Sequence, residues 1–145
     1  GPTFFLTSTA DMLRAAEDGA VVNISSASAT ITMPTYTPYA QAKAGIVKLT
    51  QDCVVTVPGV RHNCIMPGVI ETPILKAAYG DQETALLGAA AALNPSKRNG
   101  QPEDIANAVA FLCSSQASFV NGAVFPVCGG ISHVSCMSAE TVMNS

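Results

Sequence analysis

Ala20-Val21-Val22-Asn23-Ile24-Ser25, then Thr37-Pro38-Tyr39-Ala40-Gln41-Ala42-Lys43-Ala44-Gly45, are the two stretches that decide the fold of this 145-residue chain. The first is a short apolar run between an Asp18-Gly19 turn signal and a Ser-, Thr- and Ala-rich loop at 26–36. It reads as a buried strand. The second opens with Thr37 as helix cap and Pro38 at the first helical position. That helix runs to about Val57 and stops at Pro58-Gly59. Outward from this pair the alternation repeats. Residues 60–66 read as a strand closed by Pro67-Gly68, and Thr72-Pro73 opens a helical stretch to about Leu93. Gln101-Pro102-Glu103-Asp104 opens another helix, with acids where the dipole favours them, ending near Ser114. Residues 122–128 form a third strand closed by Gly129-Gly130. Upstream, residues 3–17 read as a helix with Phe5, Leu6, Met12, Leu13 and Ala16 on one broad face. The strands are apolar without strict alternation, which predicts an α/β fold whose parallel sheet carries helices on both faces. Three strands and about four helices are few for such a sheet, so one edge is expected to be unfinished. Residues 132–145 are polar and unpatterned and read as a tail.

Composition narrows the function. Hydrophobic residues make up 48 % and charged residues 12 %, which argues against disorder. Net charge is −3, with no basic stripe, so nucleic-acid binding is not expected. No apolar run approaches the roughly 18 residues of a membrane span. The five cysteines, Cys53, Cys64, Cys113, Cys128 and Cys136, include no CxxC pair, and there are two histidines. No metal site is expected, and the cysteines read as reduced thiols of a cytoplasmic protein, most of them small buried hydrophobes.

The chemistry-bearing residues lie around the first strand and its helix. Tyr39 and Lys43 are four residues apart, so their side chains share one helix face. A cation beside a tyrosine favours the phenolate, which makes the pair a proton donor and acceptor. Ser26 lies at the C-terminal end of the first strand, the end at which parallel α/β sheets bind ligands. Its hydroxyl would hold a carbonyl oxygen. The bland reading stands beside this one: the Tyr/Lys spacing also arises from a surface tyrosine and a solvated lysine. Asn63 reads as a satisfier of backbone groups, His62 as a packed residue, Gly45 as a close-packing position, and Cys53 and Cys113 as core or interface residues.

Taken together, Val22-Asn23-Ile24-Ser25-Ser26, Tyr39-Ala40-Gln41-Ala42-Lys43-Ala44-Gly45, the run from Arg61 to Pro73, Gly100-Gln101-Pro102-Glu103-Asp104-Ile105-Ala106, Phe111-Leu112-Cys113-Ser114, Gly122 and Val127-Cys128-Gly129-Gly130 resemble the short-chain dehydrogenase/reductase family. The nearest type is the 3-oxoacyl-carrier-protein reductase. The resemblance covers about residues 1–131. It implies the C-terminal part of a Rossmann-like, doubly wound domain with sheet order 3-2-1-4-5-6-7, in which this chain supplies strands resembling 5, 6 and 7. It implies NAD or NADP as cofactor and interconversion of a small-molecule alcohol and carbonyl. Tyr39 would be the general acid/base, Lys43 would assist it and hold the nicotinamide ribose, and Ser26 would orient the substrate oxygen. Pro67, Gly68, Val69, Ile70 and Thr72 would line the nicotinamide. Residues 73–95 would cover the substrate, with Ile74, Leu75, Tyr79, Leu86 and Leu87 as apolar wall. A homodimer or homotetramer is implied for a complete version.

The departures carry expectations of their own. The family's N-terminal strand, its Gly-x3-Gly-x-Gly phosphate loop and its catalytic asparagine have no counterpart in these residues, so the N-terminal half of the domain is expected to be missing. His62 replaces a small aliphatic residue and Cys128 an aspartate. The rival to an enzyme is therefore a truncated or degenerate relative without activity, acting as an interaction module. A ligand binder without turnover is the third reading.

Overall fold

The computed structural model describes residues 1–31 and 37–134. Its sheet has three parallel strands, β1 (Ala20–Ile24), β2 (Arg61–Pro67) and β3 (Val124–Val127), in the order β1-β2-β3. The helices are α1 (Pro2–Ala15), α2 (Thr37–Thr56), α3 (Pro73–Tyr79), α4 (Glu83–Leu93) and α5 (Pro102–Cys113). The expected strand–helix alternation and parallel sheet are both present.

β2 is the central strand, and its six residues from Arg61 to Met66 are all buried. Val21 pairs with His62, Asn23 with Cys64 and Cys64 with Val124, which places the three strand ends at one edge. The two faces of β2 meet different helices. On one face Arg61 donates to the carbonyls of Leu112 (2.7 Å), within α5, and Ala117 (3.0 Å), beyond it, and to Asp18 at 3.1 Å. On the other, the Asn23 amide of the paired strand donates to Thr50 Oγ1 of α2 at 2.9 Å. Helices thus cover both faces, as the apolar strands predict. Arg61 is buried, and a buried guanidinium is tolerated because carbonyls and a carboxylate receive its donors.

Asn63 does what its bland reading predicts. Its amide donates to Val120 O at 2.8 Å and its Oδ1 accepts from Ala123 N at 3.0 Å, stitching β2 to the approach of β3.

One expectation about the helices needs correction. The stretch 73–93 is two helices, separated by a 3-10 turn at Gly80–Gln82. Gly80 takes φ 53°, a left-handed value that α-helix propagation does not allow and that glycine adopts without a steric cost. On the broad apolar face of α1, Leu6 is buried, whereas Phe5 and Met12 are 62 % and 69 % exposed. Near the end of α1, Arg14 Nη2 reaches the Thr56 carbonyl at 3.5 Å and Leu13 is half-buried, while Phe5 and Met12 stay largely uncovered among the described residues. Cys113 is exposed at the C-terminal end of α5, whereas Cys53, Cys64 and Cys128 are buried; Cys136 lies outside the described residues. A Cβ at Gly45 would meet nothing within 4 Å among the described residues, which leaves this close-packing position to a partner rather than to the sheet. The expected tail at 132–145 begins within a short 3-10 turn, Ile131–His133, and residues 135–145 lie outside the described residues.

Candidate active site

The site forms where the chain leaves the three strands. β1 ends at Ile24, and Ser26 follows as the cap of a 3-10 turn, Ala27–Ala29. Ser26 Oγ accepts from Ser28 N at 3.1 Å and lies 3.2 Å from Ser28 Oγ. Two contacts tie α2 to this strand end. Ser25 Oγ donates to the Lys43 carbonyl at 2.7 Å, and Lys43 Nζ donates to the Ile24 carbonyl at 3.1 Å. The helix is therefore fixed in rotation as well as position. One turn earlier, Tyr39 comes beside Lys43, with Nζ 5.6 Å from the ring centre. Such an approach of a cation to an aromatic face is attractive.

β2 ends at Pro67, and the loop from Gly68 to Thr72 crosses the mouth of the sheet. This loop is held from behind. Gly68 N donates to Val127 O at 3.2 Å, Gly100 N to Val69 O at 2.9 Å, and Glu71 N to Gly100 O at 2.9 Å. Ile70 and Gly100 thus form a parallel bridge. Gly68 is required by contact: a Cβ there would lie 2.9 Å from Cys128 Cα. The start of α5 supports the same bridge. Asp104 closes a capping box with Gln101 and pairs with Arg98 through two contacts of 2.7 and 2.9 Å. That guanidinium and the Gln101 N–H hold the Asp104 carboxyl down at about 2. Glu71 is likewise held below the usual carboxylate range by the amides of Gln101 and Asn99.

A cavity of about 480 Å³ lies among these elements. Ser26, Tyr39, Pro67, Gly68, Val69, Ile70 and Thr72 all border it. Lys43 stands behind Tyr39 and does not line the cavity itself. From the covering segment, Ile74, Leu75, Tyr79 and Leu86 line the wall. Leu87 does not; its carbonyl instead accepts from Asn99 Nδ2 at 2.9 Å. The helical period explains the correction. Leu86, Ala90 and Leu93 stand at i, i+4 and i+7 and share the cavity face, while Leu87 is turned about 100° away.

Sequence reasoning missed the residues that brace the site. Asn94 is buried, donates to Cys128 O at 3.0 Å and accepts from Ser96 N at 3.0 Å. It locks the turn at Gly129 and Gly130, whose φ values are 63° and 93°. That turn delivers Ile131 to the cavity wall. An asparagine before a proline, as in Asn94-Pro95, signals a turn, but its long-range partner is invisible without the fold. Asn99 is the second brace, joining the Leu87 carbonyl to Glu71 at 3.2 Å.

Residues 2–132 match the family model described as Enoyl-(Acyl carrier protein) reductase. The chain is 38 % identical to a 3-oxoacyl-(acyl-carrier-protein) reductase of Vibrio cholerae over 78 % of its length, covering 46 % of that protein. The chain belongs to the short-chain dehydrogenase/reductase family. Another relative, the cis-4-hydroxycyclohexanecarboxylate dehydrogenase of Sinomonas cyclohexanicum, is 38 % identical over 84 % of the chain and 48 % of that protein. Among solved structures, the aldohexose dehydrogenase of Thermoplasma acidophilum superposes with a TM-score of 0.88 at 27 % identity. That match covers 95 % of this chain and 57 % of the other. The chain thus spans about half the length of the curated short-chain dehydrogenase/reductase proteins it matches. Its three parallel strands and flanking helices correspond to part of their Rossmann-like domain.

Proposed function

We propose that this chain carries the proton-transfer and nicotinamide-facing half of an NAD(P)-dependent oxidoreductase that interconverts an alcohol and a carbonyl. The observation that carries the reading is the shared cavity: Ser26, Tyr39 and the Pro67–Thr72 loop arrive from three separate segments and border the same space. The donor set suits the nicotinamide end of the cofactor. Tyr39 and Lys43 would meet ribose hydroxyls, and Pro67, Gly68, Val69, Ile70 and Thr72 would flank the ring. When bound, NAD or NADP supplies or accepts the hydride.

In the reducing direction Ser26 Oγ donates a hydrogen bond to the substrate carbonyl oxygen, exchanging its contact with Ser28 for one with substrate. Tyr39 Oη delivers the proton that this oxygen needs as it becomes an alkoxide. Lys43 holds positive charge beside the resulting phenolate. In the oxidising direction the same hydroxyl accepts the proton of the alcohol. The requirement is geometric: proton donor and oxygen-orienting group must address one atom, and α2 is pinned to the end of β1 so that they can.

The open face at Gly45 and the exposed Phe5 and Met12 of α1 support a homodimer or homotetramer of the complete protein. The reading of the cysteines as reduced thiols supports a cytoplasmic location. The test of function is an assay of the protein containing this chain with NADH and NADPH against a set of ketones, following nicotinamide absorbance. Hydride transfer with either cofactor supports the reading. A folded, complete protein that transfers hydride to none of them removes it. Light scattering that finds a stable monomer at micromolar concentration removes the assembly reading.

A further inference from the structure

The reactive corner of the cavity is polar, but the wall facing it is not. α3 and α4 contribute Ile74, Leu75, Leu86, Ala90 and Leu93, with Tyr79 as their only side chain bearing a polar atom. Among the described residues, none that line this cavity carries a formal charge. The nearby cations are engaged elsewhere. Lys76 projects from α3 to Glu83, 3.9 Å away, Lys97 donates to the Ala92 carbonyl at 3.3 Å, Arg98 is bound to Asp104 and Lys43 donates to the Ile24 carbonyl at 3.1 Å; none of the four borders the cavity. Thr72 Oγ1, which does border it, points back at the Ile70 carbonyl, 3.4 Å away.

The uncovered wall is also unusually apolar for a surface. Ile74 is 71 % exposed and Leu93 is 65 % exposed. A ligand that lies against them removes apolar area from water and gains in proportion to that area. An ionised carboxylate in the same place would lose hydration with no cation to receive it. A polyhydroxylated body would leave several hydroxyls facing leucine and isoleucine.

From this we infer that the cavity selects a ketone or secondary alcohol whose body is uncharged and apolar, and discriminates against carboxylate-bearing and sugar-like ones. The inference deepens the oxidoreductase reading and rests on it, because Ser26 and Tyr39 must hold the oxygen end for the body to reach the α3–α4 wall. Selection comes from two terms with one cause. The wall offers area to hydrocarbon, and it offers nothing to a charge.

The experiment is direct binding to the 145-residue chain by ligand-observed NMR, using the 2-alkanones from butanone to octanone. The matched anions are 4-oxopentanoate and 7-oxooctanoate. Affinity is expected to rise about fourfold for each added methylene until the wall is covered. Each anion is expected to bind at least about tenfold more weakly than the ketone of similar length. Leu93→Lys and Ile74→Lys place a cation on the wall at exposed positions, where folding does not depend on the apolar side chain. Each should shift the preference toward 7-oxooctanoate by about fivefold or more.

Flat affinity along the alkanone series, equal or tighter binding of the anions, or no saturable binding of 2-octanone to the folded chain would each overturn the inference. So would a ketone-to-anion ratio that neither lysine variant changes. The two readings fail separately. A complete protein that shows this binding preference without hydride transfer loses the oxidoreductase reading and keeps the selectivity. One that reduces 7-oxooctanoate in preference to 2-octanone keeps the activity and loses the selectivity.

Discussion

Lys43 reaches from α2 to the last carbonyl of β1, at Ile24, and holds its ammonium 5.6 Å from the centre of the Tyr39 ring. One side chain therefore closes the helix against the strand end and places a cation at the tyrosine. Ser25 adds a second tie from the strand to the Lys43 carbonyl, so rotation of α2 would cost two hydrogen bonds. The consequence for chemistry is that Tyr39, although 46 % exposed, sits on a helix turn whose orientation is over-determined.

Tyr39→Phe in the complete protein removes the ionisable hydroxyl and keeps the ring, so the cofactor should lose one ribose contact and keep those of Lys43 and the 67–72 loop, with binding nearly intact. Turnover should fall by about 10²–10⁴-fold, the range that a positioned acid or base supplies. Steady-state kinetics with a parallel cofactor titration separates the two effects. A variant retaining more than about a tenth of the rate rules out Tyr39 as the proton donor.

Gly68→Ala tests the loop rather than the acid. A Cβ at 68 would stand 2.9 Å from Cys128 Cα and 3.0 Å from Cys128 Cβ, and the first of these is backbone that cannot swing aside. The loop from 68 to 72 must then lift from β3. Overpacking of this kind costs about 1–3 kcal/mol. The expected kinetic result is a rise in KM for the cofactor with a smaller fall in kcat. A lowered melting temperature with unchanged cofactor KM would show that this loop does not meet the cofactor.

His62 is fully buried on β2, and neither ring nitrogen has a hydrogen-bond partner among the described residues. Burial holds its pKa below the ordinary 6.5. The sign follows: below about pH 6.5 the unfolded chain takes up a proton that the folded chain refuses. Stability is therefore greatest above that pH and declines as pH falls, until the folded-state value is passed. His62→Leu removes both the titration and the unpaired polar atoms. It should stabilise the fold by about 1–3 kcal/mol near neutrality and by more at pH 5. Chemical denaturation at pH 5 and pH 7.5 measures both. A variant less stable than the parent at both values would mean that the ring is partnered in solution.

The legible and illegible parts of this molecule differ in range along the chain. The strands were readable because a covered parallel strand needs only local apolar residues, and Val21, Val22, Cys64 and Ile65 supply them. The ends of α2 and α5 were readable because Pro38, Pro58-Gly59 and Gln101-Pro102 act within one turn. Tyr39 and Lys43 are readable as a pair from helical spacing, and Ser26 from its place at the C-terminal end of the first strand. What failed depends on distant partners. The helical period separates Leu87 from Leu86, but which of the two faces the cavity depends on how α4 packs. Periodicity gives α1 one broad apolar face, but it does not report what covers that face. The bracing role of Asn94 rests on a contact 34 residues away. Gly80 is one glycine in an otherwise helical stretch, and its left-handed φ is visible only in the fold.

The 145-residue chain by itself should not turn over alcohols or ketones with NADH or NADPH. Its cavity offers side chains and a backbone loop for the nicotinamide end of the cofactor, with no Gly-x3-Gly-x-Gly segment within these residues to receive a pyrophosphate. Each lost charge-assisted hydrogen bond removes about 1.5–3 kcal/mol, and several together weaken binding by orders of magnitude. The fold points the same way. Among the described residues β1 pairs on one side only, and Ile24 at its end is 40 % exposed. An open apolar edge of this kind invites association with other strands. The measurement is a titration of the purified chain with each cofactor, followed by nicotinamide fluorescence, alongside an assay against 2-octanone. The expected outcome is neither saturation in the micromolar range nor ketone reduction. Micromolar binding with measurable reduction would mean that residues 1–145 hold the pyrophosphate by groups other than a glycine-rich loop, and the requirement for a separate cofactor-binding half would fall.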